Sequence, residues 1–434
     1  MALGEVVKTL KDYMAPYRFG LIDITDSLNL MTVILLTIIT GVVATNQYLL
    51  NRMSCYIPVH PSGGGKFNDY LNDYCWVRGT IPFRSDEILP TSATEWDLYD
   101  RTRRLNYYQW VPFVLALQTV FFYLPNLCWQ YYCTSQTGGD LTALIELASK
   151  ASIEARKTRK ASVDRVAEFL EDLIDARRFI RSGVGKRIRH NDDVEKWSFA
   201  GLSFDMMYLC NKALIMLVSG LQLYLIQCFL GLNRPQTQLS QGVEESSWAL
   251  RHTFGMVMLQ YILSGREWPE TLLFPRVAFC RVPGIRLVGG DNAYTAQCTL
   301  PINMLNEKVY IFLWFWIVFL LFACTLSLLY WLFRISLDPS RKQLIKRYLR
   351  VEQLKQGGHN LMTIDSDPKL EKFIEDYLRR DGLFLIRMMN NNAGKVFSSE
   401  VVRTLYLTWS ARYDRRPKLY HSMTKSQEPV FTSV

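Results

Sequence analysis

The sequence lacks the residue patterns that mark an enzyme. No stretch fits a nucleotide-binding or hydrolytic template, and residues 183–186 (GVGK) miss both the full glycine spacing and the Ser/Thr of a phosphate-binding loop. Histidine is scarce, and the histidines are too scattered to show metal-ligand spacing: His60, His190, His252, His359 and His421. We therefore predict a protein that is not an enzyme and that uses no metal or other cofactor.

Acidic residues are absent from four long apolar runs, which we predict to be membrane spans: 28–50, 107–129, 207–231 and 309–333. Each run has roughly 20 residues or more, the length with which a helix crosses a hydrocarbon core. Backbone amides in lipid must be bonded internally, which a helix achieves within one segment. The predicted fold is an all-α integral membrane protein with four transmembrane helices.

Lys212 is the one charged residue inside these runs. Ion-coupled carriers usually place ionisable groups at mid-membrane, so their scarcity argues against an active transporter and leaves a passive pore or a scaffold. Four helices form too thin a bundle to enclose a wide pore. A channel therefore requires several copies of the chain arranged in a ring.

Basic residues are divided unevenly between the two sides of the membrane. Segments 1–27, 130–206 and 334–434 hold 35 of the 50 Lys and Arg residues, whereas the loops 51–106 and 232–308 hold 14. By the positive-inside rule, both termini and the middle loop are cytoplasmic. The loops 51–106 and 232–308 are then the first and second outside loops.

The cytoplasmic segments are charged, and apolar residues recur in them at helical spacing. This pattern predicts a helix from about 140 to 180 and further helices in the tail, 334–434, with disorder after Arg412. The tail carries +8 of the net charge of +10, which favours contact with anionic membrane lipid. We predict no nucleic-acid partner, because the tail is tethered to a membrane and has no recognisable nucleic-acid module.

Each outside loop carries two cysteines: Cys55 and Cys75 in the first, Cys280 and Cys298 in the second. An oxidising compartment favours disulfides among them, and the spacing alone leaves all three pairings open. The other five cysteines lie in or beside the spans and are predicted to be buried or reduced thiols.

Short motifs are spaced along almost the whole chain. Residues 74–77 (YCWV), 274–277 (FPRV) and 300–308 (LPINMLNEK) flank the loop cysteines and the fourth span, and DGLFLIR and NNAG lie in the tail. The second span opens with YYQWVPF, whose first six residues are Tyr107, Tyr108, Gln109, Trp110, Val111 and Pro112. In this order and topology, the motifs resemble those of the innexin family.

The resemblance implies an assembly and a function. Eight subunits would form a ring, a hemichannel, either from this chain alone or mixed with other innexins. Two hemichannels of apposed plasma membranes would dock through their outside loops into a gap junction that passes ions and small molecules. The implied disulfides are Cys55–Cys298 and Cys75–Cys280, in loops that can include a small β-sheet.

The resemblance also implies a role for the N-terminal segment. This segment would fold into the pore as a funnel lined by Ala2, Leu3, Gly4 and Glu5. Residues 1–17 are weakly amphipathic, which permits a pore lining, and a short helix on the membrane surface is the alternative.

Two other functions fit the same sequence. One is a hemichannel that works undocked in a single membrane, as pannexin-like relatives do; glycosylated outside loops would favour it, but the chain has no Asn-X-Ser/Thr site. The other is a junctional adhesion or scaffold protein without conductance, which gives no role to an N-terminal funnel. We favour the gap junction.

Overall fold

A computed structural model of the chain describes residues 23–50, 53–57, 64–83, 87–135, 141–181, 204–230, 259, 263–264, 274–287, 290–336, 338–355 and 368–425. Its helices are α1 (Ile24–Tyr48), α2 (Gly64–Arg78), α3 (Ala93–Arg103), α4 (Val111–Ser135), α5 (Leu141–Ile153), α6 (Arg156–Arg181), α7 (Phe204–Phe229), α8 (Pro301–Ser336), α9 (Asp338–Lys355), α10 (Pro368–Lys372), α11 (Arg379–Ala393) and α12 (Lys395–Lys425). A 3₁₀ turn at Tyr107–Trp110 precedes α4, and a π-helical turn at Phe373–Leu378 joins α10 to α11. The strands are β1 (Ser54–Tyr56), β2 (Val277–Leu287) and β3 (Gly290–Thr299).

Four of these helices are long and apolar enough to cross a membrane: α1, α4 with its 3₁₀ turn, α7 and α8. Many of their large apolar side chains are exposed, as lipid-facing side chains must be. The predicted all-α membrane fold with four spans is confirmed.

Helices α1 and α8 begin before the apolar runs 28–50 and 309–333, because polar groups and proline fit their first turns. At the start of α1, the N–H of Asp23 donates to Asp26 Oδ2 over 3.2 Å, the return bond of a capping box. Helix α8 begins at Pro301, and proline is favoured in a first turn because its missing N–H has no intrahelical partner there. These are the limits of the helices, and the membrane limits given from the sequence stay predictions.

Contacts group the residues into two compact units. The disulfide unit comprises Asn29–Leu124 and Ile215–Ala323, and the helical unit comprises Met1–Leu28, Pro125–Leu214 and Cys324–Val434. Each membrane helix therefore contributes one end to each unit.

The disulfide unit contains a three-stranded antiparallel sheet in the order β1-β3-β2. β2 and β3 form a hairpin whose register shifts between Val282 and Ile285. Pro283 and Gly284 occupy this shift, as expected of residues that interrupt a regular ladder. The sheet, α2 and the 3₁₀ turn share one apolar core, which includes Leu71, Trp76 and Tyr108.

Polar side chains bond the membrane helices to one another within the disulfide unit. Asn29 Nδ2 on α1 donates to the Phe122 carbonyl oxygen on α4 over 3.0 Å. Trp316 Nε1 on α8 donates to Thr32 Oγ1 on α1 over 2.9 Å. Such bonds satisfy polar groups that lipid cannot.

The helical unit contains a packed bundle of the helices that follow the second and fourth membrane helices. Helices α5 and α6 pack on each other, α5 contacts α11, and α6 and α9 contact α12. The buried stripe of α6 recurs at helical spacing: Val163, Val166, Ala167, Leu170, Leu173 and Ile174. The middle of α11 is buried without interruption from Asp381 to Met389.

Two predictions about this unit need correction. The helix predicted over 140–180 is two helices, because the chain turns at Glu154, whose Oε2 accepts a 2.6 Å hydrogen bond from Ser162 Oγ on the next helix. The disorder predicted after Arg412 is also wrong for residues up to Lys425, which continue α12. Lys369 Nζ lies 2.9 Å from Asp414 Oδ1 and so ties this part of α12 to α10.

Candidate functional site

Two disulfides join the outside loops. Cys55 on β1 is bonded to Cys298, its register partner on β3, and Cys75 on α2 is bonded to Cys280 on β2. These are the pairs that the resemblance implies. The four residues are buried, and the Sγ atoms of Cys55, Cys75 and Cys298 lie within 4.8 Å of one another. The two bridges therefore form a single block.

The backbone joins the same loops a second time. Ile81 N donates to the Phe279 carbonyl oxygen over 2.8 Å, and Phe279 N donates back to the Ile81 carbonyl oxygen over 2.9 Å. The Phe83 ring packs on Phe279 with a centroid distance of 5.6 Å. First-loop residues thus extend the edge of a sheet that is otherwise built mostly from the second loop.

The aromatic motif at 107–112 lies against this block. Tyr108 is fully buried, and its ring centroid is 4.9 Å from that of Trp76, the neighbour of Cys75. Tyr107 packs edge-on against Phe274, with centroids 5.9 Å apart. The two tyrosines therefore connect the start of the second span to both outside loops.

The remaining motif residues set the start of α4. Gln109 Nε2 donates to the carbonyl oxygens of Trp76 and Val77, which closes the C-terminal end of α2. Trp110 is exposed, Val111 is fully buried, and Pro112 is buried in the first turn of α4. Pro125 lies in the interior of this helix.

A second site lies in the helical unit, where α1 begins. Lys212 of α7 is fully buried, and its Nζ lies 2.7 Å from Asp26 Oδ1 and 3.7 Å from Asp23 Oδ2. It also donates to Thr25 Oγ1. Tyr208 donates its hydroxyl to Asp26 Oδ2 over 3.0 Å. We call Asp23, Thr25, Asp26, Tyr208 and Lys212 the charge cluster.

Helix α8 completes the surroundings of the charge cluster. Ser327 Oγ donates to Asp23 Oδ2, and Trp331 Nε1 donates to the same oxygen over 3.2 Å. Thr25 Oγ1 donates to Ser327 Oγ over 3.3 Å. The first residues of α1 are therefore held by both α7 and α8.

Sequence reasoning missed the acidic half of this cluster. The apolar run of the first span starts at Leu28, so the predicted span leaves Asp23 and Asp26 in the N-terminal segment. It therefore gives Lys212 no partner. The one available signal was Lys212 itself, since a buried ammonium requires a counter-charge. The predicted pore-lining residues Ala2, Leu3, Gly4 and Glu5 lie outside the described residues.

Another ion pair holds the bundle of the helical unit to the start of α7. Asp381 Oδ1 accepts a 2.9 Å hydrogen bond from Phe204 N, and its Oδ2 lies 3.8 Å from Arg177 Nε. The Arg177 guanidinium covers the Phe204 ring at 4.4 Å and donates to the Tyr132 hydroxyl over 3.1 Å. Asp381 opens the tail motif DGLFLIR, so that motif meets the third span at its first turn.

Comparison with known proteins identifies the family. The model of the family described as Innexin matches residues 23–409. The chain belongs to the innexin family. It is 30% identical to innexin unc-9 of Caenorhabditis elegans over 403 residues, which is 92% of this chain and 95% of the relative. Innexin-11 and innexin-3 of the same species are also 30% identical, covering 94% and 97% of this chain and 82% and 91% of theirs.

Membership of the family decides the general function. As an innexin, the chain is a multi-pass membrane protein and a subunit of an oligomeric channel of the gap-junction or hemichannel kind. Innexins are channel proteins rather than enzymes. In this innexin, the matched region begins at Asp23 of the charge cluster and includes both disulfides and the whole of α11.

Proposed function

We propose that eight copies of this innexin form a hemichannel, alone or mixed with other innexins, and that two hemichannels dock across apposed plasma membranes as a gap junction. The observation that carries the proposal is the pair of buried disulfides that fixes both outside loops in one block. A surface that docks with a copy of itself on another cell binds more tightly when its loops are already held in the docking conformation.

The disulfides support docking through entropy. The bridges join residues 243 and 205 positions apart, so they remove much of the freedom that two separate loops would have. A preorganised surface loses less conformational entropy on binding than a flexible one. Disulfides also persist in an oxidising compartment, which supports loops outside the cell and cytoplasmic termini.

The charge cluster supports a pore-lining N-terminal segment. Asp23 and Asp26 are anchored to α7 and α8, so residues 1–22 leave the first span from a fixed point. In the proposed channel, Ala2, Leu3, Gly4 and Glu5 line the narrowest part. Selection among ions and small molecules then follows from pore width and lining charge, and permeation is passive.

Imaging of single particles of the purified protein tests the assembly. The proposal predicts rings with eightfold symmetry, and some ring pairs joined end to end through the faces that carry the disulfides. A variant with Cys55→Ser and Cys298→Ser is expected to keep single rings but to lose the pairs. Rings of another order would contradict the stoichiometry. Conducting rings that never pair would favour an undocked hemichannel, and particles without conductance after reconstitution would favour a scaffold.

A further inference from the structure

Arg387 on α11 has an environment that an arginine rarely tolerates. Arg387 is only 5% exposed. Neither its Nε nor its Nη2 has a hydrogen-bond partner among the described residues. A buried charged donor without a partner is costly, by several kcal/mol in typical proteins. Arginines in such positions are normally matched by a carboxylate or a phosphate.

A second arginine lies beside it, at the end of the fourth membrane helix. Trp331 of α8 packs on Phe384 of α11 with ring centroids 6.4 Å apart. Arg334 and Arg387 each follow one of these rings by three residues, the spacing that brings side chains to the same face of a helix. The half-buried Arg334 guanidinium covers Tyr330 and Trp331 at 5.5 and 5.9 Å.

The positive charges of Arg334 and Arg387 act on each other and on Tyr348 of α9. Burial lowers the pKa of Arg387, and repulsion by Arg334 lowers it further, while Asp205 acts in the opposite direction. Burial raises the pKa of Tyr348 on α9, and three guanidinium groups oppose that shift: Arg334, Arg387 and Arg347. The positive charge of Arg334 therefore acts on the buried Arg387, and the carboxylate of Asp205 acts against it.

We call Arg334, Arg347 and Arg387 the arginine cluster. Its position relative to the membrane indicates which kind of anion it binds. Arg334 ends the apolar region of α8, so the cluster lies where the fourth span leaves the hydrocarbon. The exposed Tyr330 lies one turn before Arg334, as aromatic residues do at the level of lipid headgroups. A planar guanidinium binds phosphate oxygens through two parallel hydrogen bonds, which Nε and Nη2 of Arg387 are free to donate.

We propose that Arg387, Arg334 and Arg347, with Tyr348, form a binding site for a phosphate group at the membrane surface. The phosphate belongs either to an anionic lipid headgroup or to a soluble phosphate compound. The site does not depend on docking or on the number of subunits, so it stands or falls separately from the proposed gap junction.

The test uses the full-length channel purified in detergent. In one arm, phosphatidylinositol bisphosphate is added in mixed micelles of phosphatidylcholine and the same detergent, and native mass spectrometry counts the lipid retained per subunit. In the other arm, equilibrium dialysis measures radiolabelled inorganic phosphate and inositol trisphosphate without added lipid. Arg387→Gln and Arg334→Gln are compared with Arg165→Gln, which removes an equal charge from an exposed position on α6.

We expect each of the two cluster variants to lose roughly tenfold or more in binding, because a charge-assisted hydrogen bond contributes about 1.5–3 kcal/mol. Arg387→Lys keeps the charge but not the planar fork, so it should retain only part of the binding. Arg165→Gln should bind like the wild type. Binding of the lipid without binding of inorganic phosphate assigns the site to a headgroup, and binding of inorganic phosphate assigns it to free phosphate.

The proposal is overturned if the wild-type channel binds nothing in either arm. It is equally overturned if Arg387→Gln, Arg334→Gln and Arg165→Gln bind alike, since the phosphate would then be attracted by the net positive charge of the protein and not by this site. Size-exclusion profiles report folding. If Arg387→Gln aggregates, the half-buried Arg334→Gln carries the test.

Discussion

At the scale of single residues, the charge cluster joins the start of the first span to the third. Lys212 is fully buried, and ion pairing with Asp26 and Asp23 compensates for the loss of its hydration. A buried ion pair is not in itself a large source of stability, because desolvation offsets most of the attraction. Removing only one partner of the pair is strongly destabilising, because the remaining charge stays buried without a counter-charge.

Lys212→Met is therefore expected to destabilise the protein by about 3–5 kcal/mol, the usual result of breaking a buried pair from one side. The measurement is the temperature at which half of the detergent-solubilised channel leaves its monodisperse size-exclusion peak. Lys212→Met with Asp26→Asn should recover part of the loss, because the closest uncompensated carboxylate is gone. Lys150→Met is the matched control, since Lys150 is exposed and its pair with Glu146 is on the surface. Equal stability of Lys212→Met and Lys150→Met would contradict the interpretation.

The disulfides make the second prediction at this scale. Digestion without reduction should give peptides that join Cys55 to Cys298 and Cys75 to Cys280, whereas peptides joining Cys55 to Cys75 would refute the pairing. Replacing both Cys75 and Cys280 with Ser should cost about 2–5 kcal/mol and lower the amount of protein at the cell surface. Cys210→Ser removes an exposed free thiol and should change neither quantity.

At the scale of elements, sequence patterns predicted helices better than they predicted where helices begin and end. The four spans and the stripe of α6 follow from hydropathy and from spacing near 3.6 residues, both of which are local properties. The turn at Glu154 depends on Ser162, and the start of α1 depends on Lys212, more than 180 positions away. Hydropathy alone does not predict which side chains will bond to the ends of a helix.

The N-terminal segment is the element whose role is most open to experiment. Deletion of residues 2–10 should raise single-channel conductance or admit larger dyes, because a funnel at the narrowest point would be lost. Dye uptake and single-channel recording in cells with equal surface expression measure both effects. Unchanged conductance and permeability would instead favour a helix on the membrane surface.

At the scale of the whole molecule, the order of motifs was enough to predict the family and the four-span fold. The composition alone left a scaffold open, because apolar runs do not distinguish a pore from an anchor. Arg334, Arg347 and Arg387 could not be predicted as a group, since they lie on α8, α9 and α11, and the packing of Trp331 on Phe384, which brings α8 to α11, is a tertiary contact. The pairing of the loop cysteines likewise needed the family resemblance, because spacing permitted three arrangements.

The most direct test of the central claim is dual voltage clamp on pairs of cells that both express this innexin. The account predicts junctional conductance in these pairs and none when only one cell of the pair expresses the chain, because docking requires the disulfide-bonded loops from both sides. Membrane current without junctional current would contradict docking and leave a hemichannel. Protein at both surfaces with neither current would contradict the claim that this chain forms a channel on its own.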